Sequence, residues 1–274
     1  SSKSGVSSAS NASSVSSESD TDWLQLGFWG LEPDQARQLA KQQFARYVQS
    51  AVEAYQVNEH NKALNLFEKG ILIVSEESQF SQYLPKLHFY ARESAFSLAR
   101  MSKALEHARK LSRIYARLKP DSLEQARALL SQGLILSRME KFEQAIARLK
   151  QAVAIMRKLQ LGPEQVRAMA DLGVVQENAR NYAQALSNFQ EAASLSSQVQ
   201  ATELRAEQYM HMGRILDLRL SLYARAKQKY AQAEEIFRKL NKTGPSAQAV
   251  LDQARCSRLL GNFVQSEKDL HTAL

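Results

Sequence analysis

One glycine recurs along this chain at intervals of forty residues, at Gly133, Gly173 and Gly213. The same pattern follows each copy: an aromatic residue, then a small one, then a bulky one and then an alanine, with the third copy shifted by one residue. A fixed period between about 20 and 50 residues is typical of a stacked array of structural repeats. Because such repeats contact only their neighbours, the period predicts one array rather than two globular domains.

The forty-residue register extends over six repeats. A small residue opens the second half of each repeat at spacings of 40 or 41 residues, and a generally bulkier residue follows four positions later. Residues i and i+4 share a helix face, so each repeat is predicted to be two amphipathic helices joined by a turn. The six small residues are Ala63, Ala104, Ala145, Ala185, Ala226 and Ser266.

The predicted fold is an all-α solenoid that occupies residues 35–274 and continues beyond residue 274. Three prolines, Pro120, Pro163 and Pro245, fall between predicted repeats, where they interrupt no helix. The approximate bounds of the six helix-turn-helix repeats are 44–77, 85–118, 126–160, 166–199, 206–240 and 247–274.

Three glycines at one helical position need a physical reason, since a glycine inside a helix costs about 1 kcal/mol relative to alanine. Close approach of the paired helix supplies that reason, because a side chain at this position would push the second helix away. Repeat two departs most from the pattern. It has Arg92 at the glycine position and Ala108 at the bulky position of the second helix.

The N-terminal region differs from the array. Residues 1–20 contain eleven serines and almost nothing apolar, which predicts a disordered linker. Residues 21–34 form an aromatic segment, which is expected to cap the first repeat. Two alternatives remain open: the segment lies in the groove of the array, or it faces outward as a short binding motif. Its apolar residues are Trp23, Leu24, Leu26, Phe28 and Trp29.

The composition argues against a chemical site. The single cysteine, Cys256, excludes a disulfide framework and a multi-cysteine metal site. The histidines do not stand at metal-ligand spacings, and the sequence lacks phosphate-loop and hydrolase motifs. No apolar run approaches the ~20 residues of a membrane span. We expect no catalytic residue, no cofactor and no metal, with His211 on the surface and Cys256 buried.

The net charge of +8 suggests acidic partners. The lysines and arginines are interspersed with acids along the chain, which is more typical of solvated helix surface than of a nucleic-acid footprint. Nucleic-acid binding is therefore the least favoured alternative.

Two segments resemble the tetratricopeptide repeat: ALLSQGLILSRMEKFEQAIARLKQAVAI and AMADLGVVQENARNYAQALSNFQEAASL. That motif has a glycine in its first helix, an aromatic residue at the turn, and alanine, an aromatic residue and alanine along its second helix. The forty-residue length is similar to the arrays of Pins/LGN-type adaptors, rapsyn, kinesin light chain and bacterial proteins. The resemblance implies a right-handed superhelix whose concave groove binds another protein.

In this family the first helix of each repeat forms the concave groove. The resemblance therefore implies which residues would contact a partner, although the apolar ones have the alternative of packing between adjacent helices. The arginines among them are expected to bond to acidic side chains of that partner. The predicted groove residues are Val48, Val52, Tyr55, Phe89, Phe96, Arg127, Leu130, Leu134, Arg138, Arg167, Val174, Asn178, Met210 and Arg214.

These observations predict a non-catalytic scaffold that holds a peptide or a helix of a partner protein in its groove. The expected compartment is the cytoplasm, with the periplasm or another compartment as the alternative, because a chain with one cysteine suits both. The lysine and asparagine that grip chaperone C-termini in some members are replaced by Val48 and Val52, which argues against a chaperone-tail adaptor. The alternative function is a regulatory array within a longer chain that carries a catalytic domain elsewhere.

Overall fold

The computed structural model describes residues 33–76 and 78–273, and within these ranges it contains twelve α-helices, one 3₁₀ helix and no strand. The predicted linker 1–20 and all but the last two residues of segment 21–34 lie outside the described residues. The helices are α1 (Pro33–Gln56), α2 (His60–Glu76), α3 (Leu84–Ser97), α4 (Met101–Leu118), α5 (Leu123–Arg138), α6 (Phe142–Lys158), α7 (Gly162–Asn178), α8 (Tyr182–Gln198), α9 (Thr202–Leu218), α10 (Tyr223–Lys239), α11 (Thr243–Leu259) and α12 (Phe263–Ala273), with the 3₁₀ helix at Ser78–Tyr83.

The described residues belong to two units that meet in the chain between Arg46 and Tyr47. In the second unit each helix from α2 to α11 packs on the helix that follows it, and short segments separate them. This stacking of adjacent helix pairs is an α-solenoid, which confirms the fold class predicted from the period.

The turns are closed by residues in the left-handed backbone region. Glu140 has φ 57° and follows α5. Its N–H donates to the Ser137 carbonyl at 3.0 Å, and the Lys141 N–H donates to the Leu136 carbonyl at 2.9 Å. This pair of bonds is the Schellman arrangement, which satisfies the last carbonyls of a helix. It reverses the chain within three residues, so the second helix returns along the first.

The recurring glycines are the closest points between paired helices. A Cβ atom added to Gly173 would lie 2.7 Å from the Phe189 ring, and one added to Gly213 would lie 2.5 Å from the Tyr230 ring. At Gly133 the same atom would lie 2.7 Å from Leu149 Cγ. All three bulky partners are buried. The glycine of the first helix and the bulky residue of the second helix therefore form one complementary pair in each of repeats three, four and five.

Adjacent repeats share one continuous core. Val153 and Met156 on α6 are buried in one cluster with Val166 and Met169 on α7. The second helix of repeat three is thereby joined to the first helix of repeat four. The apolar faces of single repeats are thus covered by their neighbours, as a solenoid requires.

Two histidines that are nineteen residues apart meet inside repeat two. His88 Nδ1 lies 3.0 Å from His107 Nδ1, and both side chains are buried. One ring donates its N–H to the lone pair of the other, which requires at least one neutral ring. Glu68 Oε1 lies 3.4 Å from His107 Nε2. Burial, and next the nearby His107, lowers the pKa of His88 from 6.5 to about 4.

Changing Gly173 to alanine should destabilise the protein, because the buried Phe189 ring cannot yield the space that the new methyl group needs. We expect the free energy of unfolding to fall by about 1–3 kcal/mol. Gly70→Ala is the matched control. A Cβ atom there would meet Leu87 at an ordinary 3.6 Å, so the higher helix propensity of alanine should leave stability unchanged or raise it by up to about 1 kcal/mol. Chemical denaturation measures both, and equal effects would contradict the packing account.

The depressed pKa of His88 should make stability depend on pH. The unfolded chain binds a proton at His88 below pH 6.5, whereas the folded chain binds it only near pH 4. The stabilisation of the folded state by the neutral ring is therefore complete above pH 6.5 and is lost as the pH falls toward 4. Between pH 7 and pH 5 we expect the wild type to lose about 1–2 kcal/mol relative to His88→Gln. Other titrating groups contribute equally to both proteins and drop out of this difference. One of them is Asp171, because burial raises its pKa to about 6. Parallel pH profiles of the two proteins would contradict this assignment.

Candidate functional site

The predicted groove residues lie on α1, α3, α5, α7 and α9, the first helices of repeats one to five. None of them is fully buried. The half-buried ones are Val48, Val52, Tyr55, Phe96, Leu130, Leu134, Val174 and Met210. The exposed ones are Phe89, Arg127, Arg138, Arg167, Asn178 and Arg214.

Side chains of successive first helices contact one another and join these residues into one surface. The Tyr55 ring on α1 meets the Tyr90 ring on α3, with centroids 5.3 Å apart. The Arg138 guanidinium on α5 lies 5.0 Å from the Phe96 ring centroid on α3. We call the exposed side of α3, α5, α7, α9 and α11, together with Tyr47–Gln56 of α1, the first-helix face.

The N-terminal half of this face is aromatic and apolar. Phe89 is 42% exposed, and its ring meets Tyr90 edge-on. Between α3 and α5 a pocket of about 160 Å³ opens on the face. A cavity of about 150 Å³ is enough to hold a benzene-sized group. We call this cavity the inter-repeat pocket, and its lining residues are Arg92, Glu93, Phe96, Ser131, Leu134 and Ile135.

Ion pairs between repeats occupy the C-terminal half of the face. Arg214 on α9 donates to Glu177 on α7 at 3.0 Å, and the Glu177 side chain is only 4% exposed. Arg255 on α11 bonds in the same way to Asp217 on α9, which is also buried. The two pairs share one register. The acid comes four residues after the glycine position of its repeat, and the arginine comes directly after the glycine position of the following repeat. Burial of the carboxylates makes these pairs costly to break.

The four arginines predicted to bind a partner therefore differ in their surroundings. Arg214 already has a carboxylate partner, and Arg138 lies over an aromatic ring. Arg127 and Arg167 share one register position with Lys86, and all three side chains are exposed on consecutive repeats. Among the described residues, no hydrogen bond or ion pair engages these three cations.

Several apolar groove residues also serve the core. Leu130 packs against the cluster shared by repeats three and four, Val174 against one that includes Phe189, and Met210 against two others. The alternative role weighed from the sequence, packing between helices, thus applies to these three residues, although each retains an exposed part.

His211 is more deeply placed than the surface position expected from the sequence. Its ring stacks on Phe189 at 4.8 Å with 4° between the planes, and Arg214 lies 3.1 Å from its Nδ1. Burial, and next the Arg214 charge, lowers the pKa of His211 to about 4, so the ring is neutral at neutral pH. No sequence signal pointed to this stack, because it joins repeats four and five.

Cys256 is buried, as predicted. Burial raises the pKa of its thiol to about 12, which makes it a poor nucleophile at neutral pH. In residues 33–76 and 78–273, no three His, Cys, Asp or Glu side chains converge as metal ligands. Over the same ranges no helix has the length and apolar character needed to cross a bilayer.

The profile of the tetratricopeptide repeat family matches residues 93–158. A comparison of the sequence with curated proteins gave no match. The fold resembles the apo form of RapI, with a TM-score of 0.71 and 17% identity over 92% of this chain and 67% of RapI. It also resembles BtubC from P. vanneervenii, with a TM-score of 0.61 and 14% identity over 85% of this chain and 89% of BtubC.

A third similar structure is that of the nearly identical TPR-like repeats of a putative kinesin light chain from Podosopora anserina. Its TM-score is 0.59 and its identity 14%, over 70% of this chain and 94% of that protein. At these identities the likeness concerns the fold. The family match places the tetratricopeptide repeat at residues 93–158, and the paired helices and the structural neighbours show that the described helices share the fold of such arrays.

Proposed function

We propose that the first-helix face is a protein-binding groove that holds a peptide or helical segment of a partner protein. The array type supports a scaffold in general, since tetratricopeptide arrays commonly serve protein–protein interaction. The groove assignment rests on one observation about this chain. Phe89 is exposed on α3, and the half-buried Phe96 and Leu134 line a pocket between α3 and α5 that is large enough for one side chain.

Exposed apolar side chains cost solvation free energy, so a contiguous group of them on a folded protein is typical of an interaction site. Here the group is continuous across repeats, since Tyr55, Tyr90 and Phe89 are linked by ring contacts and Phe96 borders the pocket. Charged side chains on the same face supply orientation and specificity for a bound segment. The lining chemistry favours binding, and we propose no catalytic step.

The partner segment is proposed to be acidic. Lys86, Arg127 and Arg167 form an exposed row without an ion pair among the described residues, and the one carboxylate that interacts with it at longer range is Glu207, near Arg167. Arg214 and Arg255 are instead paired with the buried Glu177 and Asp217. An acidic segment would therefore be attracted to the half of the face that is also apolar.

A substitution in the pocket tests the groove. Peptides that bind the 274-residue chain are first selected from a display library of random twelve-residue sequences. Leu134→Glu should weaken their binding about tenfold or more, because it places a charge in the apolar pocket beside Glu93. Leu118→Glu is the control, since Leu118 is 64% exposed at the end of α4 and away from the face. Isothermal calorimetry measures both affinities.

The groove assignment fails if the library yields no binding peptide, or if both variants bind the selected peptides as tightly as the wild type. Circular dichroism of each variant checks that the helical array is intact.

A further inference from the structure

Repeat two replaces the packing glycine with a buried arginine. In repeats three to five the glycine precedes its bulky partner by 16 or 17 residues, and Arg92 precedes Ala108 by 16. Arg92 is 5% exposed and Ala108 is fully buried. The large side chain thus comes from the first helix in this repeat, and the small one from the second. Repeat two therefore reverses the sizes of the two residues at these register positions and introduces a charge.

The guanidinium of Arg92 lies at the first-helix face. It lies 4.7 Å from the centroid of the Phe89 ring, and it forms an ion pair with Glu93. Adjacent residues of a helix point in different directions, so the Arg92 side chain has to extend from the helix pair toward the face to reach that carboxylate. A guanidinium has five N–H donors. The Glu93 bond uses one nitrogen, and Nε is buried without a partner.

A second arginine lies near the same side of α3. Arg138 lies over Phe96, which stands seven residues after Phe89 on α3 and therefore on the same side of that helix. Phe96 and Arg92 both line the inter-repeat pocket, whose other walls include the apolar Leu134 and Ile135. The pocket therefore joins an apolar wall to the Arg92 guanidinium, and Glu93 is the one carboxylate in its lining. Arg138 does not line the pocket itself but lies over the Phe96 ring that does.

We infer that the inter-repeat pocket recognises a bulky apolar side chain of the partner segment flanked by an aspartate or glutamate, whose carboxylate binds Arg92 and Arg138. This inference rests on the proposed groove function, and it specifies which side chains of the partner would bind at the inter-repeat pocket. A carboxylate is the favoured acceptor for an unpaired N–H of a buried arginine, because charge-assisted hydrogen bonds are stronger than neutral ones. Arg214 and Arg255 cannot fill this role, because they are bonded to buried carboxylates of the chain itself.

The main test uses the size reversal itself. The double variant Arg92→Gly with Ala108→Leu gives repeat two the glycine and leucine of repeat three, which removes the charge and keeps the packing. Its probe is a peptide selected by the wild type from the random twelve-residue library, together with the same peptide carrying Asp→Asn or Glu→Gln beside its apolar residue. Replacing a buried ion pair with apolar packing is often neutral for stability.

We expect the selected peptides to be enriched in an acid next to a large apolar residue. Neutralising that acid should weaken binding to the wild type about tenfold or more, and it should change binding to the double variant less than about threefold. This non-additivity is specific to a direct contact, because a purely structural defect in the variant would weaken both peptides equally.

A single exposed substitution gives an independent test if the double variant does not fold. Arg138→Gln should also reduce the effect of neutralising the peptide acid, because it removes the other guanidinium. Arg109→Gln is the matched control, since Arg109 is exposed on α4, the second helix of repeat two. Its affinity for the acidic peptide should equal that of the wild type.

The outcomes separate this inference from the proposed function. If the selected peptides bind less tightly to Leu134→Glu but are not enriched in acids, the proposed groove is supported. The same result overturns the inference that the inter-repeat pocket binds an acid. The inference is also overturned if acid-bearing peptides bind the wild type, Arg138→Gln and the double variant with the same affinity. A library without any binder would overturn both.

Discussion

The whole array depends on the close contact between the first and second helices of each repeat. At Gly173 the Phe189 ring fills the space that a side chain would take, and Gly133 and Gly213 repeat that contact with Leu149 and Tyr230. Because this contact sets the distance between paired helices, it also fixes which side of the first helix stays outside. The core between repeats and the first-helix face both follow from that geometry.

In repeat two the sizes of the residues at these register positions are reversed. Arg92 and Ala108 exchange the roles of large and small residue, and both are buried. A buried charge is costly unless it is paired, and here Glu93 and the Phe89 ring offset that cost. The exchange places a guanidinium beside the pocket between repeats two and three, where our inference assigns it a part in partner recognition.

The first-helix face has two halves with different physical chemistry. Towards the C-terminus, buried acids bond to arginines of the next repeat, so the charges neutralise one another within the chain. Towards the N-terminus the Phe89 ring is exposed, and the exposed Lys86 and Arg127 form no ion pair among the described residues. The register positions that hold the ion pairs in repeats four to six are occupied in repeats two and three by residues that include Glu93, Phe96 and Leu134, which line the inter-repeat pocket.

The sequence alone determined the helical class and the glycine contacts of repeats three to five, because both follow from residues that recur at a fixed period. The bounds of the six repeats stay a prediction. The sequence also predicted a buried Cys256 and placed the proposed site on the first helices. Only the tertiary structure decided which side chains meet: the His88–His107 pair, the His211–Phe189 stack and the carboxylates that occupy Arg214 and Arg255. Such contacts join residues about 20 to 40 positions apart, and their geometry depends on how neighbouring helices pack, which no local pattern encodes.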